Sequence, residues 1–362
     1  MNLPPLSRLL PALAVLLLAA CPDPDGPGNT DPDGGTGRPD GGGRPDSGTP
    51  NLHGWHRVES PGGSGNVSDI FFLDAQRGWM TVSEGVNNGV FSTSNAGATW
   101  THQKRDYSAF TVTALPDGNS VWVAGSDSPT LFASTNGGQD LAPVRTAVAD
   151  FPRALHFWDS TTGLIASEVG DRVRRTTDSG ATWSTHTFTR EVMPGIHELA
   201  VLGNEVWVVG GPSFTSNGTG ANIGYSADRG ATWSTRLLED KAHDYKGGSL
   251  QGVAVVNTNE VWVAGLNRQL YFTKDKMQTW TQVRNVPSDI VDFRGIAISG
   301  DHIVAGCHLH DGICIYESFD HGATWAITFT EACDDLCDVR GVVFAGPDTA
   351  YIYGYNGTLV RN

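Results

Sequence analysis

One octapeptide recurs along this chain and constrains its fold more tightly than any other feature. It reads Thr93-Ser-Asn-Ala-Gly-Ala-Thr-Trp100, Thr176-Thr-Asp-Ser-Gly-Ala-Thr-Trp183, Ser226-Ala-Asp-Arg-Gly-Ala-Thr-Trp233 and Ser318-Phe-Asp-His-Gly-Ala-Thr-Trp325. Degenerate copies are Ser134-Thr-Asn-Gly-Gly-Gln-Asp-Leu141 and Thr273-Lys-Asp-Lys-Met-Gln-Thr-Trp280. Successive copies start 41, 42, 50, 47 and 45 residues apart. A period of that length fits a four-stranded unit that buries its apolar face against its neighbours. The third position holds Asn95, Asn136, Asp178, Asp228, Asp275 or Asp320. A carboxylate or amide there can accept backbone N–H groups and hold a tight turn. Gly at the fifth position suits positive φ. The Trp opens the next strand, where it can wedge between sheets.

The rest of each unit repeats too. An inner strand is predicted at Ile70–Leu73, Ala154–Phe157, Leu199–Leu202, Val253–Val256, Ile296–Ile298 and Val342–Phe344. A second strand often reads Val-Trp-Val, as at 121–123, 206–208 and 261–263. Counting second strands by Trp79, Trp122, Leu164, Trp207, Trp262, Ile303 and Tyr351 gives seven units, one more than the octapeptides. The last unit, Val339–Asn362, stops after three strands. Trp55-His-Arg-Val58 resembles the missing fourth. With 45 glycines, 17% charged residues and no apolar run at helical spacing beyond the N-terminus, the expectation is all-β. The predicted fold is a seven-bladed β-propeller over residues 53–362, closed by pairing the N-terminal strand into the last blade. Closure removes the exposed edges that invite aggregation.

The pattern S/T-x-D-x-G-x-T-W resembles the Asp-box (BNR) repeat of sialidases, some other glycoside hydrolases, sortilin-type receptors and photosystem II assembly-factor propellers. Phe72-Leu-Asp-Ala-Gln-Arg-Gly-Trp79 and Phe157-Trp-Asp-Ser-Thr-Thr-Gly-Leu164 are most similar to the assembly-factor group. The resemblance covers about residues 55–362. It implies that the boxes are structural turns on the outer rim, remote from any active face. It implies a protein partner more than a reaction.

A binding site is therefore expected at the other end of the blades, where the inner strands begin. Aligning those strands places Ser68, Phe110, Arg153, His197, Gln251, Arg294 and Arg340 at equivalent positions. Three arginines and a histidine around one channel mouth suit an anion, because the guanidinium fork matches carboxylate or phosphate. Alternatively, the arginines pair with Asp150, Asp289, Asp292, Asp335 and Asp338. The longer loops 210–222, 239–249 and 331–339 are expected on the same face. A glycoside hydrolase of sialidase-like type is the alternative function. It needs an arginine triad, a Tyr–Glu pair and an acid, with two carboxylates roughly 5–9.5 Å apart across the sugar. The Arg-Ile-Pro motif of sialidases is absent, since Phe151-Pro152-Arg153 has the wrong order, and no spacing supports Tyr245 and Glu198 as the pair.

Residues 1–21 supply an address. Arg8 precedes an apolar stretch, Leu9–Ala20, too short for a comfortable ~20-residue span. Leu18-Ala19-Ala20-Cys21 resembles the bacterial lipobox, which implies a lipidated Cys21. Residues 22–52 are rich in Pro, Gly and Asp and cannot bury a core, so a disordered tether is expected. Its Asp-Pro-Asp-Gly units lack the ligand alternation of a calcium loop. The chain would then be a monomeric cell-envelope lipoprotein on a bacterial membrane, periplasmic or surface-exposed. Its propeller would bind a protein, peptide or glycan without catalysis, cofactor or metal. The net charge of −15 argues against nucleic acid. An exported chain favours disulfides, and Cys307–Cys314 and Cys333–Cys337 are the expected pairs. A metal site from Cys307, His308 and His310 with Cys333 or Cys337 is the rival reading.

Overall fold

A computed structural model describes residues 54–362, apart from 127–129, 145–150, 170–171, 189–194, 212–220, 239–248 and 334–336. The expected Cys21 anchor and the tether lie outside the described residues. Among the described residues the chain forms seven four-stranded antiparallel sheets. They are the blades of a propeller, numbered here 1–7 with strands A–D from the channel outwards. The A strands are Asn66–Phe72, Ala109–Ala114, Pro152–Phe157, Ile196–Leu202, Leu250–Val255, Ile290–Ser299 and Asp338–Phe344. Blade 7 takes its D strand from the start of the domain. His56–Arg57 pairs with Leu359–Arg361, and the Val58 N–H donates to the Leu359 carbonyl at 2.9 Å. Trp55 anchors this closing strand. It is 1% exposed, and its indole N–H donates to the buried Glu317 of blade 6 at 3.1 Å.

The apolar layers lie between blades. The B strands, Gly78–Ser83, Val121–Gly125, Gly163–Ser167, Glu205–Gly210, Val261–Gly265, His302–Leu309 and Ala350–Tyr355, are buried almost throughout, and the seven side chains that marked them in the sequence (Trp79, Trp122, Leu164, Trp207, Trp262, Ile303 and Tyr351) are all buried. Several bridge to the next blade. Trp122 stacks on Phe157 with ring centroids 4.1 Å apart. Tyr351 of blade 7 donates to the Ala96 carbonyl of blade 1 at 2.6 Å, so the ring closes at the rim as well.

The octapeptides are the C–D turns of blades 1–6, and all six use one hydrogen-bond scheme. In blade 3 the Thr176 hydroxyl donates to Asp178 at 2.9 Å and accepts the Gly180 N–H at 2.9 Å. Asp178 also accepts the N–H and the hydroxyl of Thr182, at 2.8 and 2.6 Å. Asp228, Asp275 and Asp320 repeat this. Asn95 and Asn136 accept the same backbone N–H through the amide oxygen, while their amide nitrogen donates to Thr99 and Asp140. The fifth residue has positive φ as expected, even where it is Met277 (φ 63°). The fourth residue is left-handed as well, which the sequence did not signal: Ala96, Ser179, Arg229, Lys276 and His321 have φ between 55 and 62°. The reason is a fixed contact. The N–H of the fourth residue donates to the A–B turn of the same blade, as Ala96 to Gln76 and Ser179 to Thr161, both at 2.9 Å. The octapeptides and A–B turns thus occupy one end of the blades, and the A strands begin at the other.

Both expected disulfides are present, and so the rival metal reading loses its thiolates. Cys307 and Cys314 face each other across strands B and C of blade 6, while Cys333 and Cys337 span the step from blade 6 to blade 7. His308 lies 2.6 Å from Asp338 and accepts the Val339 N–H at 3.0 Å.

Candidate functional site

Every A strand carries a β-bulge near its start. The register slips between Val67 and Asp69, Ala109 and Thr111, Pro152 and Ala154, and Ile196 and Glu198. It slips again between Leu250 and Gly252, Phe293 and Gly295, and Val339 and Gly341. The extra residue in each case is Ser68, Phe110, Arg153, His197, Gln251, Arg294 or Arg340. The seven positions aligned by sequence are the seven bulge residues. A bulge breaks the ladder and re-aims a side chain, here at the channel mouth.

The structure gathers five of them around one cavity of about 330 Å³: Ser68, Arg153, His197, Gln251 and Arg340. Arg294 lies outside the lining, with its guanidinium 3.5 Å from Asp292. Phe110 also lies outside it and contacts Phe151. Of the other aspartates considered as arginine partners, Asp338 lies 2.6 Å from His308, Asp289 accepts the Ser288 hydroxyl, and Asp150 and Asp335 lie outside the described residues. Arg153 instead meets Glu168, at 3.4 Å. Arg340 donates to the Tyr355 hydroxyl at 3.2 Å. Most of the long loops 210–222, 239–249 and part of 331–339 lie outside the described residues, as does Tyr245.

Sequence alignment missed the layer beneath. The residue after the bulge is Asp69 in blade 1 and Glu198 in blade 4, and both line the cavity. Asp69 accepts the Thr111 hydroxyl at 2.8 Å, the Val112 N–H at 3.0 Å and the Tyr353 hydroxyl at 3.3 Å. Glu198 accepts the Val253 N–H at 3.1 Å. Val112 and Val253 stand two residues beyond the bulge of the following blade, so the two carboxylates make the same inter-blade tie. In blades 5, 6 and 7 the equivalent residues are Gly252, Gly295 and Gly341. Backbones there touch directly: a Cβ on Gly252 would lie 2.9 Å from the Ile296 nitrogen, and one on Gly295 2.9 Å from the Gly341 Cα. The channel is therefore pinched on the side of blades 5–7. It opens on the side of blades 1–4, where carboxylates hold the strands apart. A signal was present in sequence, since Asp69 and Glu198 are acidic residues immediately before the apolar runs of their inner strands.

Electrostatics follows from this enclosure. Burial pushes Glu198 up to about 8, with the Asp69 charge adding to it against the pull of the Val253 N–H and Arg153. Burial also raises Asp69 above the usual carboxylate range. His197 falls to about 3 because it is buried and faces Arg153, Arg294 and Arg340. Both shifts favour the uncharged forms of His197 and Glu198 at neutral pH. The charge that faces the cavity from the bulges is then cationic, carried by Arg153 and Arg340.

The fold has many solved counterparts. The structure titled YCF48 bound to D1 peptide superposes with a TM-score of 0.62 at 20% identity, covering 85% of this chain and 96% of that one. YCF48 from Cyanidioschyzon merolae gives 0.65 at 17% identity, over 85% and 98%. A GH74 xyloglucanase from Xanthomonas campestris gives 0.57 at 14% identity, over 84% of this chain and 52% of the enzyme. The likeness is one of fold. No protein-family model and no curated protein sequence matches the chain. At these identities only the seven-bladed architecture carries across.

Proposed function

We propose that this protein is a non-enzymatic binding propeller, and that its channel mouth holds an anionic group of a protein, peptide or glycan partner. The observation that carries the reading is the convergence of bulge residues on one cavity. Arg153 and Arg340 project there beside a neutral His197 and a neutral Glu198. Guanidinium forks in a partly desolvated cavity bind carboxylate or phosphate more strongly than they would in water. A YCF48 propeller bound to a peptide is a precedent for this fold in such a role. The recurring rim turns support classing the repeat as an Asp-box whose work is structural.

The propeller is proposed to hang from a bacterial membrane as a monomeric envelope lipoprotein, with Cys21 lipidated and residues 22–52 as tether. Growth of the expressing bacterium on labelled palmitate should label the protein, and Cys21→Ser should abolish both label and membrane retention. The binding reading is tested by capture of partners from an envelope extract. An Arg153→Ala/Arg340→Ala double variant should lose the partners that the parent retains. Identical partner sets would remove the channel mouth from consideration.

A glycoside hydrolase is the second reading, favoured by one observation: two carboxylates with raised pKa share the cavity. Against it, each already accepts a backbone N–H of the next blade. Turnover of fluorogenic glycosides by the parent and not by Glu198→Gln would establish it.

A further inference from the structure

Phe151 is the least comfortable residue at the channel mouth. Its φ is 52°, a region that bulky side chains avoid, and it immediately precedes Pro152, which restricts it further. It is also 54% exposed. Backbone strain of this kind gathers at functional positions. The ring leans on Phe110, the bulge residue of blade 2, with centroids 6.2 Å apart. The Phe151 carbonyl accepts the Glu168 N–H at 3.1 Å, and Val169 beside it is exposed. Two residues beyond Phe151 is Arg153, which lines the cavity with Arg340. An apolar lip of Phe110, Phe151 and Val169 thus adjoins Arg340 and Arg153, the latter also meeting Glu168, on the open side of the channel.

We infer that the site selects an organic carboxylate carrying an apolar, preferentially aromatic, group: the carboxylate meets Arg153 and Arg340 while the apolar group rests on Phe151 and Phe110. This deepens the binding reading of the channel mouth and rests on it. The chemistry is shared by a free aromatic acid and by the C-terminal residue of a peptide. A phosphate or sulfate would use the arginines and leave the lip bare. A neutral sugar would offer the arginines no charge. An aromatic face gains affinity from ring stacking as well as from area removed from water.

The test is calorimetric titration of the full-length protein in detergent with four probes at millimolar concentration: N-acetylphenylalanine, N-acetylphenylalanine amide, acetate, and a peptide ending in phenylalanine with a free carboxylate. N-acetylphenylalanine should bind at least tenfold more tightly than its amide and than acetate. Tighter binding of the peptide identifies a chain terminus as the source, and equal or weaker binding a free acid. Phe151→Gly is the informative variant, because glycine accepts the same φ and leaves the backbone intact. It should keep the melting temperature and reduce N-acetylphenylalanine to the affinity of acetate. Arg153→Ala/Arg340→Ala should abolish binding of both. If acetate binds the parent as tightly as N-acetylphenylalanine, and does so through the arginines, the lip inference is overturned and the anion site stands. If the arginine variant binds every probe like the parent, or if no probe binds, both fail.

Discussion

Asp320 on the rim and Glu198 in the channel wall are both carboxylates that accept a backbone N–H, yet their surroundings drive them in opposite directions. Asp320 stands in solvent. The Thr324 hydroxyl and then the Thr324 N–H hold it down to about 2, and Asp275 is held to about 2 in the same way by Thr279. Glu198 is enclosed between inner strands, where burial outweighs its one N–H and lifts it to about 8. The rim can therefore repeat one turn six times with little regard for its neighbours. The channel wall varies from blade to blade, because each residue there must fit both the adjoining strand and the cavity. Repetition marks what the fold needs from every blade. Departure from repetition, as at Asp69, Glu198 and Phe151, marks where one blade of this propeller differs from the next.

The largest effect expected from breaking this contrast is at the wall. Glu198→Ala leaves the Val253 N–H without its acceptor and opens a void, and should cost about 2–4 kcal/mol in chemical denaturation. Glu198→Gln keeps an acceptor and should cost much less. A second effect is pH dependence. The native protein holds the Glu198 proton from its ordinary 4.5 up to about 8, so this group's contribution to stability is full at low pH and lost as pH rises through that window. His197 and His156, held to about 3 and about 4 chiefly by burial, act the other way and cost stability as pH falls below 6.5. As pH climbs past 6.5 the opposing slope of the histidines fades and the carboxylate slope comes to dominate. Thermal melts should therefore decline between pH 6.5 and 8, by at most about 1 kcal/mol per pH unit, and Glu198→Gln should flatten that limb. A decline unaltered by the substitution would assign it to another group.

Rim substitutions should do less. Asp320→Ala loses one turn among six and should lower the melting temperature by less than Glu198→Ala. Its effect should vanish as the acid falls below pH 3.8 towards 2, where Asp320 itself gains a proton. The smallest change has the opposite sign. Ala96 sits at φ 56° in the fourth turn position, and Ala96→Gly should stabilise by no more than about 1 kcal/mol. A loss there would show that the Ala96 methyl packs more usefully than its backbone strain costs.

The repeat period, the seven units and the closing strand at Trp55–Val58 were legible in the sequence, because each depends on local pattern: a turn signature, an apolar alternation, a missing strand. The seven bulge positions were legible too, since a common backbone irregularity preserves alignment even where the side chains differ. Fold neighbours such as the YCF48 propellers agree with that architecture. The local pattern did not extend to the consequences of ring closure. Sequence alignment put Arg294 beside Arg153 and Arg340, but the backbone contact of Gly295 with Gly341 narrows that side and leaves Arg294 to Asp292. It gave His197 no charge state, and burial, with the charges of Arg153, Arg294 and Arg340 adding to it, lowers its pKa to about 3. It passed over Asp69 and Glu198 as wall residues, although their ties to Val112 and Val253 hold the open half of the channel apart. The sequence determined what each blade is, because hydrogen bonding and apolar packing within a blade are local. Only the tertiary structure decided which blades face an open cavity, because burial and charge there depend on residues brought together from six of the seven blades.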